Sequence, residues 1–232
     1  MTRPSTILLV ATSAARMDND EPTGVWLEEL TTPYYAFRDA GADVTIASIA
    51  GGPVPVDPRS LRPDYENEPS VERSLGDEDF KQKTAATPRL DALEGAGFDA
   101  IFLAGGHGTM FDFPESTALA DLVARRLAAG AIVAAVCHGP AGLVAARDEH
   151  GVSLVKGRRL AAFTDSEERA VGLDGAVPFL LESRLRELGA VHVSGPDFAP
   201  FVTRDGALIT GQNPASAAPT AALVMEVLAD TA

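Results

Sequence analysis

The chain has 232 residues, 46% hydrophobic and 22% charged, a balance that fits one globular domain and excludes a disordered chain. Its 33 acidic residues outnumber 19 basic ones, and the charge of −14 disfavours a nucleic-acid partner. A lone cysteine, Cys137, excludes an intrachain disulfide and any cysteine-based zinc site.

Taken in chain order, apolar runs alternate with amphipathic stretches. Ser5–Ala11 is a short apolar run without period-two alternation, as expected of a strand covered on both faces. Its apolar part, Ile7 to Ala11, is too short for the roughly 7–15 residues of a signal core. Thr23–Ala40 reads as a helix ending at Gly41, and Asp43–Ser48 as a second strand. Residues 51–87, rich in Pro, Asp and Glu, break the alternation and read as a solvated excursion or a lid. Residues 98–104 form a third strand that runs into Gly105, Gly106 and Gly108. A helix over Ser116–Ala129, a strand over Ala131–Val136 and a helix over about Pro140 to Ala146 follow. Residues 200–210 read as a hairpin turning at Asp205-Gly206, and Ala215–Asp230 as a closing helix. The pattern predicts an α/β sandwich, a parallel sheet with helices on both faces, in a single domain over 1–232. No segment reaches the roughly 18 apolar residues of a bilayer span, so no membrane partner and a cytoplasmic location are expected.

The segment AIVAAVCHGPAGLVAA, residues 131–146, carries the most chemistry. A strand runs into Cys137 and a helix starts at once, with Pro140 suited to its first turn. That is the pattern of a nucleophile elbow, which presents its side chain at the carboxyl end of the sheet. A helix N-terminus under the sulfur would favour thiolate. A free thiol of pKa about 8.5 is about 3% ionised at pH 7. A pKa near 5.5 would raise the thiolate about 30-fold, but nucleophilicity would fall by about 15–30-fold. Catalysis therefore has to come largely from oxyanion donors, each contributing roughly 3–4 kcal/mol. The backbone N–H groups of His138 and Gly106 are the candidates. The His138 imidazole is a candidate acid or base.

Two glutamates stand out. Trp26, Glu29, Leu30, Pro33 and Phe37 share one helical stripe, which sets Glu29 on an apolar face where burial would keep it protonated. The same pattern also allows Glu28 to be the inward carboxylate, or both to be solvated. Glu168 lies in FTDSEE, residues 163–168, where Asp165-x-x-Glu168 and Thr164-x-x-Glu167 both fit a capping box. His107 and Asp112 alone do not make a metal site, and the loop after the first strand lacks G-x-G-x-x-G. Neither a metal nor another cofactor is expected.

Together these segments resemble the DJ-1/PfpI superfamily, and within it the Hsp31-like group of glyoxalase III, deglycase and chaperone proteins. The resemblance runs through TGVWLEELTTPYYAFRDAGADVTIAS (23–48), GGPVPVDPRS (51–60), AGGHGTMFDFP (104–114), AAVCHGPAGL (134–143), FTDSEE (163–168) and ITGQNPASA (209–217). It implies a flavodoxin-like fold and a homodimer. It also implies that Cys137 is the nucleophile, that His138 and Glu168 complete a triad-like set, and that Glu29 contacts the sulfur. The activity it implies is glutathione-independent conversion of a small dicarbonyl, such as methylglyoxal, to a 2-hydroxy acid such as D-lactate. Class I glutamine amidotransferases share the fold but use a distant His-x-Glu pair, and none of His107, His150 and His192 has Glu two residues on. A stress chaperone or redox sensor, and an amidase or peptidase, are the alternative expectations.

Overall fold

A computed structural model describes residues 3–62, 68–93 and 95–231. Strand β1 spans Thr6–Ala11, helix α1 Leu27–Asp39 and β2 Asp43–Ser48. Helices α2 (Pro69–Gly76) and α3 (Glu78–Ala85) lie in the excursion, followed by β3 (Ala100–Leu103) and the single turn α4 (Thr109–Asp112). Then come α5 (Thr117–Ala128), β4 (Ile132–Val136), β5 (Arg159–Leu160), α6 (Asp165–Ala170) and α7 (Leu181–Glu187). The chain closes with β6 (Val191–His192), β7 (Val202–Asp205), β8 (Leu208–Gly211) and α8 (Ala217–Thr231).

The main sheet has the order β2-β1-β3-β4-β8-β7. Its pairings are parallel except for the β7–β8 hairpin. This is the expected α/β flavodoxin-like sandwich. The apolar runs are long and uninterrupted because both faces are covered. Leu8, Val10, Ile101, Leu103, Val133 and Ala135 point into one core layer, which α5 and α7 close with Leu119, Leu122, Val123, Leu181 and Leu185. Their strand neighbours Ile7, Leu9, Phe102 and Ala134 point into the other, closed by Leu30, Tyr34 and Phe37 of α1 and Val224 and Val227 of α8. No described helix is long and apolar enough to cross a membrane.

Three expectations are corrected. The first helix starts at Leu27, not at Thr23. Residues 23–25 are drawn out toward the excursion, where the Val25 N–H donates to the Pro55 carbonyl and Asp57 donates back to Val25. The excursion is not structureless. Its Val71, Ser74 and Phe80 are buried, and Phe80 packs 5.0 Å from the Tyr34 ring of α1. Residues 63–67 of the excursion lie outside the described residues. The segment after Cys137 is a five-residue 3-10 helix, Gly139–Leu143, rather than an α-helix to Ala146. Gly139 and Gly142 are poor α-helix formers, and both are pressed against β3 or its neighbours. A Cβ on Gly139 would lie 2.3 Å from the Leu103 carbonyl oxygen.

Candidate active site

The site is assembled at the carboxyl ends of β3 and β4, where parallel sheets open toward ligands. Cys137 follows β4 directly and sits in the left-handed region, with φ of 58°. A non-glycine residue holds that conformation only when its surroundings enforce it. Here the Cys137 N–H donates to the Gly211 carbonyl at 3.0 Å, and its carbonyl accepts from Phe163 at 2.9 Å. The elbow is therefore stitched to β8 on one side and to the segment before α6 on the other.

The Cys137 Sγ lies 3.2 Å from His138 Nδ1. His138 Nε2 lies 2.7 Å from Glu168 Oε2, and His107 Nε2 lies 2.8 Å from Glu168 Oε1. Both imidazoles thus share one carboxylate, each through a different oxygen. Their rings sit 4.1 Å apart, and His138 also packs on Phe163 at 4.6 Å. Burial alone would raise the Glu168 carboxyl, but His138 and His107 together hold it well below the usual carboxylate range. Burial, followed by the neighbouring His138, lowers His107 to about 4. An ionised Glu168 accepts from both Nε2–H groups. That fixes the His138 tautomer and leaves its Nδ1 lone pair facing the sulfur.

Helix α6 resolves the ambiguity between the adjacent glutamates. Glu167 closes the capping box with Thr164, accepting from its N–H and hydroxyl. Its other oxygen accepts from the Phe198 N–H at 2.7 Å and Asn213 Nδ2 at 2.8 Å. Glu167 is a strut, and Glu168 is the carboxylate at the histidines.

Glu29, not Glu28, is the inward carboxylate of α1, with no solvent exposure. It reaches the sulfur through the space that Gly105 leaves open. A Cβ on Gly105 would lie 2.2 Å from Glu29 Oε2 and 3.0 Å from Cys137 Cβ. Burial raises the Glu29 carboxyl far above its ordinary value, and contacts with Cys137 and the Gly105 backbone offset this only in part. Burial likewise pushes the Cys137 thiol up, and Glu29, Glu167 and Glu168 push the same way. This corrects the expectation of a helix-stabilised thiolate. The helix beyond the elbow is one short 3-10 helix, and the charges of Glu29, Glu167 and Glu168 act against ionisation of the sulfur. Burial favours the neutral form of Glu29, and in that form it does not repel a thiolate.

The Gly106 and His138 N–H groups are spent on no protein acceptor among the described residues. Gly106 has φ of 100°, and a Cβ there would lie 2.3 Å from the Trp26 nitrogen. Thr109 ties the two loops together, its hydroxyl shared by the Gly106 and His138 carbonyls at 2.8 and 3.1 Å. Beside the sulfur opens a cavity of about 290 Å³, bounded by Trp26, Phe163 and Phe198 as well as by Gly106, Cys137 and His107. Cys137 is 4% exposed, so it meets solvent only through this opening.

His107 is the member of this cluster that sequence reasoning missed. The available signal was its place in the glycine run after β3, a strand end at the ligand-facing edge. Among the described residues His107, His138 and Glu168 are also the one group whose ligand atoms, within 4.8 Å of one another, could hold a metal ion. Their hydrogen bonds to one another already use both Glu168 oxygens and the two Nε2 positions.

The profile of the DJ-1/PfpI family matches residues 23–227. The chain belongs to the DJ-1/PfpI family. It is 32% identical to the glutathione-independent glyoxalase HSP31 of Saccharomyces cerevisiae, over 97% of this chain and 98% of that one. It is 35% identical to the glutathione-independent glyoxalase hsp3101 of Schizosaccharomyces pombe, over 88% and 87% of the two chains. The crystal structure of glyoxalase III from Candida albicans superposes with a TM-score of 0.86 at 28% identity, covering 96% of each chain. Within this DJ-1/PfpI fold, Cys137 and Gly105 make one prediction at once. Gly105→Ala should cost about 1–3 kcal/mol in denaturant unfolding, because overpacking here strikes backbone and a buried carboxyl together. A variant of unchanged stability would mean that Glu29 does not occupy that space.

Proposed function

We propose that this protein is a glutathione-independent glyoxalase that converts small 2-oxoaldehydes to 2-hydroxy acids on Cys137. The observation that carries the reading is the proton chain from Sγ through His138 to Glu168, at 3.2 and 2.7 Å, beside a cavity with two unspent N–H donors. The glyoxalases of Saccharomyces cerevisiae, Schizosaccharomyces pombe and Candida albicans to which the chain is similar support it as well.

His138 Nδ1 takes the thiol proton, and the sulfur attacks the aldehyde carbon. The carbonyl oxygen becomes an oxyanion held by the Gly106 and His138 N–H groups, then takes up a proton to give a hemithioacetal. His138, oriented by Glu168, removes the proton on C1 and an enediol forms. Return of a proton to C2 leaves a thioester of the 2-hydroxy acid. Water cleaves that bond, giving the acid and restoring the thiol. The net change is one substrate plus one water to one hydroxy acid, with no external oxidant or reductant. Glu29 donates to the sulfur while it is anionic. The excursion contributes Glu68 to the cavity mouth, and we assign it a covering role there. The homodimer and cytoplasmic location implied by the resemblance complete the proposal.

A steady-state assay against 2-oxoaldehydes, amides and peptides tests the reading. Turnover of methylglyoxal to lactate without glutathione is the expected result. Turnover of an amide or peptide alone would replace it with a hydrolase, and client protection without any turnover would replace it with a chaperone.

Glu29→Gln separates charge from shape. The raised carboxyl contributes its full stability only below its ordinary value of about 4.3, and this is lost as pH rises through the folded value. The variant should therefore gain on the wild type in unfolding free energy as pH rises above about 4.3, while losing turnover. Parallel stability curves would remove the buried proton from Glu29.

A further inference from the structure

The cavity at Cys137 has a one-signed rim. Glu28 and Glu68 both line it, and no lysine or arginine does so among the described residues. Beneath them lie Glu29, Glu167 and Glu168, all buried. The cation whose charge reaches His107, Arg59, is matched by the buried Asp57, which it grips at 2.9 and 2.7 Å. Arg62 lies in an adjoining cavity together with Glu21 and that same Arg59. Low-dielectric walls of Trp26, Phe163 and Phe198 focus the field of the rim into the opening.

We infer that Glu28 and Glu68 form an electrostatic filter, which admits neutral electrophiles to Cys137 and excludes or expels anionic ones. The product side of this inference rests on the glyoxalase reading. A 2-oxoaldehyde enters uncharged and a 2-hydroxy acid leaves as a carboxylate, so the rim passes the substrate and repels the product. Related electrophiles that already carry a carboxylate, such as 2-oxo acids with an aldehyde carbon, are the class it excludes. Glu28 and Glu68 act through the field and touch no reacting atom, so they are specificity-determining rather than catalytic.

The lone cysteine allows a test that needs no turnover. Iodoacetamide and iodoacetate alkylate the same thiolate and differ in charge. The ratio of their rate constants therefore cancels the ionisation of Cys137. The assay is run at pH 8, above the value of about 7 to which burial and Glu68 push Glu28. Relative to a free small thiol, the wild type should prefer the neutral reagent by roughly tenfold or more at low salt. The preference should fall as salt rises, since screening shortens the reach of the rim. Glu28→Gln/Glu68→Gln should lose most of it, and should bind D-lactate more tightly as a product inhibitor. A wild-type ratio equal to that of the free thiol overturns the filter. So does a salt-independent ratio, or a double variant that speeds both reagents equally, which would mean a steric opening. If the variant does not fold, the wild-type salt series still decides. A strong charge preference without dicarbonyl turnover would leave the filter standing and remove the glyoxalase reading.

Discussion

Cys137→Ser is expected to lower kcat/KM for methylglyoxal by about 10,000-fold or more while leaving the thermal midpoint close to that of the wild type. A serine hydroxyl fits the same elbow, whose backbone is held by Gly211 and Phe163 rather than by the side chain. What it lacks is a conjugate base that His138 can generate. The structure makes this demand acute, because burial and nearby carboxylates already oppose ionisation of the native thiol. A hydroxyl, far weaker as an acid, would meet the same opposition with nothing to overcome it. Mass spectrometry should also find no covalent adduct on the serine variant after substrate is added. Activity within a factor of ten of the wild type would take position 137 out of the chemistry.

The second large effect is expected at Glu168. Alanine there removes the shared acceptor of two imidazoles and leaves both Nε2–H groups buried without a partner. The His138 tautomer is then no longer imposed, and turnover should fall by about 1,000- to 10,000-fold. Glutamine should fall less, for a reason particular to this geometry. Its oxygen can stay on His138 only if its NH2 faces His107, which must then move its own proton to Nδ1. That nitrogen is buried without a hydrogen-bond partner among the described residues, so the switch leaves an unpaired donor and glutamine restores only part of the function. The expected order is wild type, then Glu168→Gln, then Glu168→Ala, read in kcat at saturating substrate. Stability should change with pH in the matching sense. A carboxyl held low contributes above the ordinary carboxylate range and loses that contribution as pH falls through its folded value. The wild type should thus lose its advantage over Glu168→Gln in acid. Equal activity in all three proteins would detach Glu168 from His138.

Strands β1, β3 and β4 were legible in the chain because each is buried on both faces, so no polar residue interrupts the run. The two-residue strands β5 and β6 were not, since two residues carry no period. Trp26 completes the apolar stripe of α1 yet lies in extended backbone, which is why the helix reads four residues too long at its start. The excursion looked solvated because its buried residues, Val71, Ser74 and Phe80, are few and widely spaced. At the site, Cys137 was visible from local order alone, strand then turn. Glu29 and Glu168 were each one of two adjacent carboxylates, and only the packing of α1 and the cap of α6 distinguish them. His107 was hidden because its partner lies 61 positions away.

The paired glutamates of α6 also restrict how this chain can change over time. Successive helical residues point about 100° apart, so Glu167 and Glu168 serve different sides of one turn. Gain or loss of a single codon between Phe163 and Glu167 would move one glutamate into the other's place and leave one duty unfilled. An insertion would remove the strut under Phe198 and Asn213, and a deletion would remove the partner of His138. Length variation among descendants of this gene should therefore gather in exposed connections such as 171–176 and be purged from 163–168.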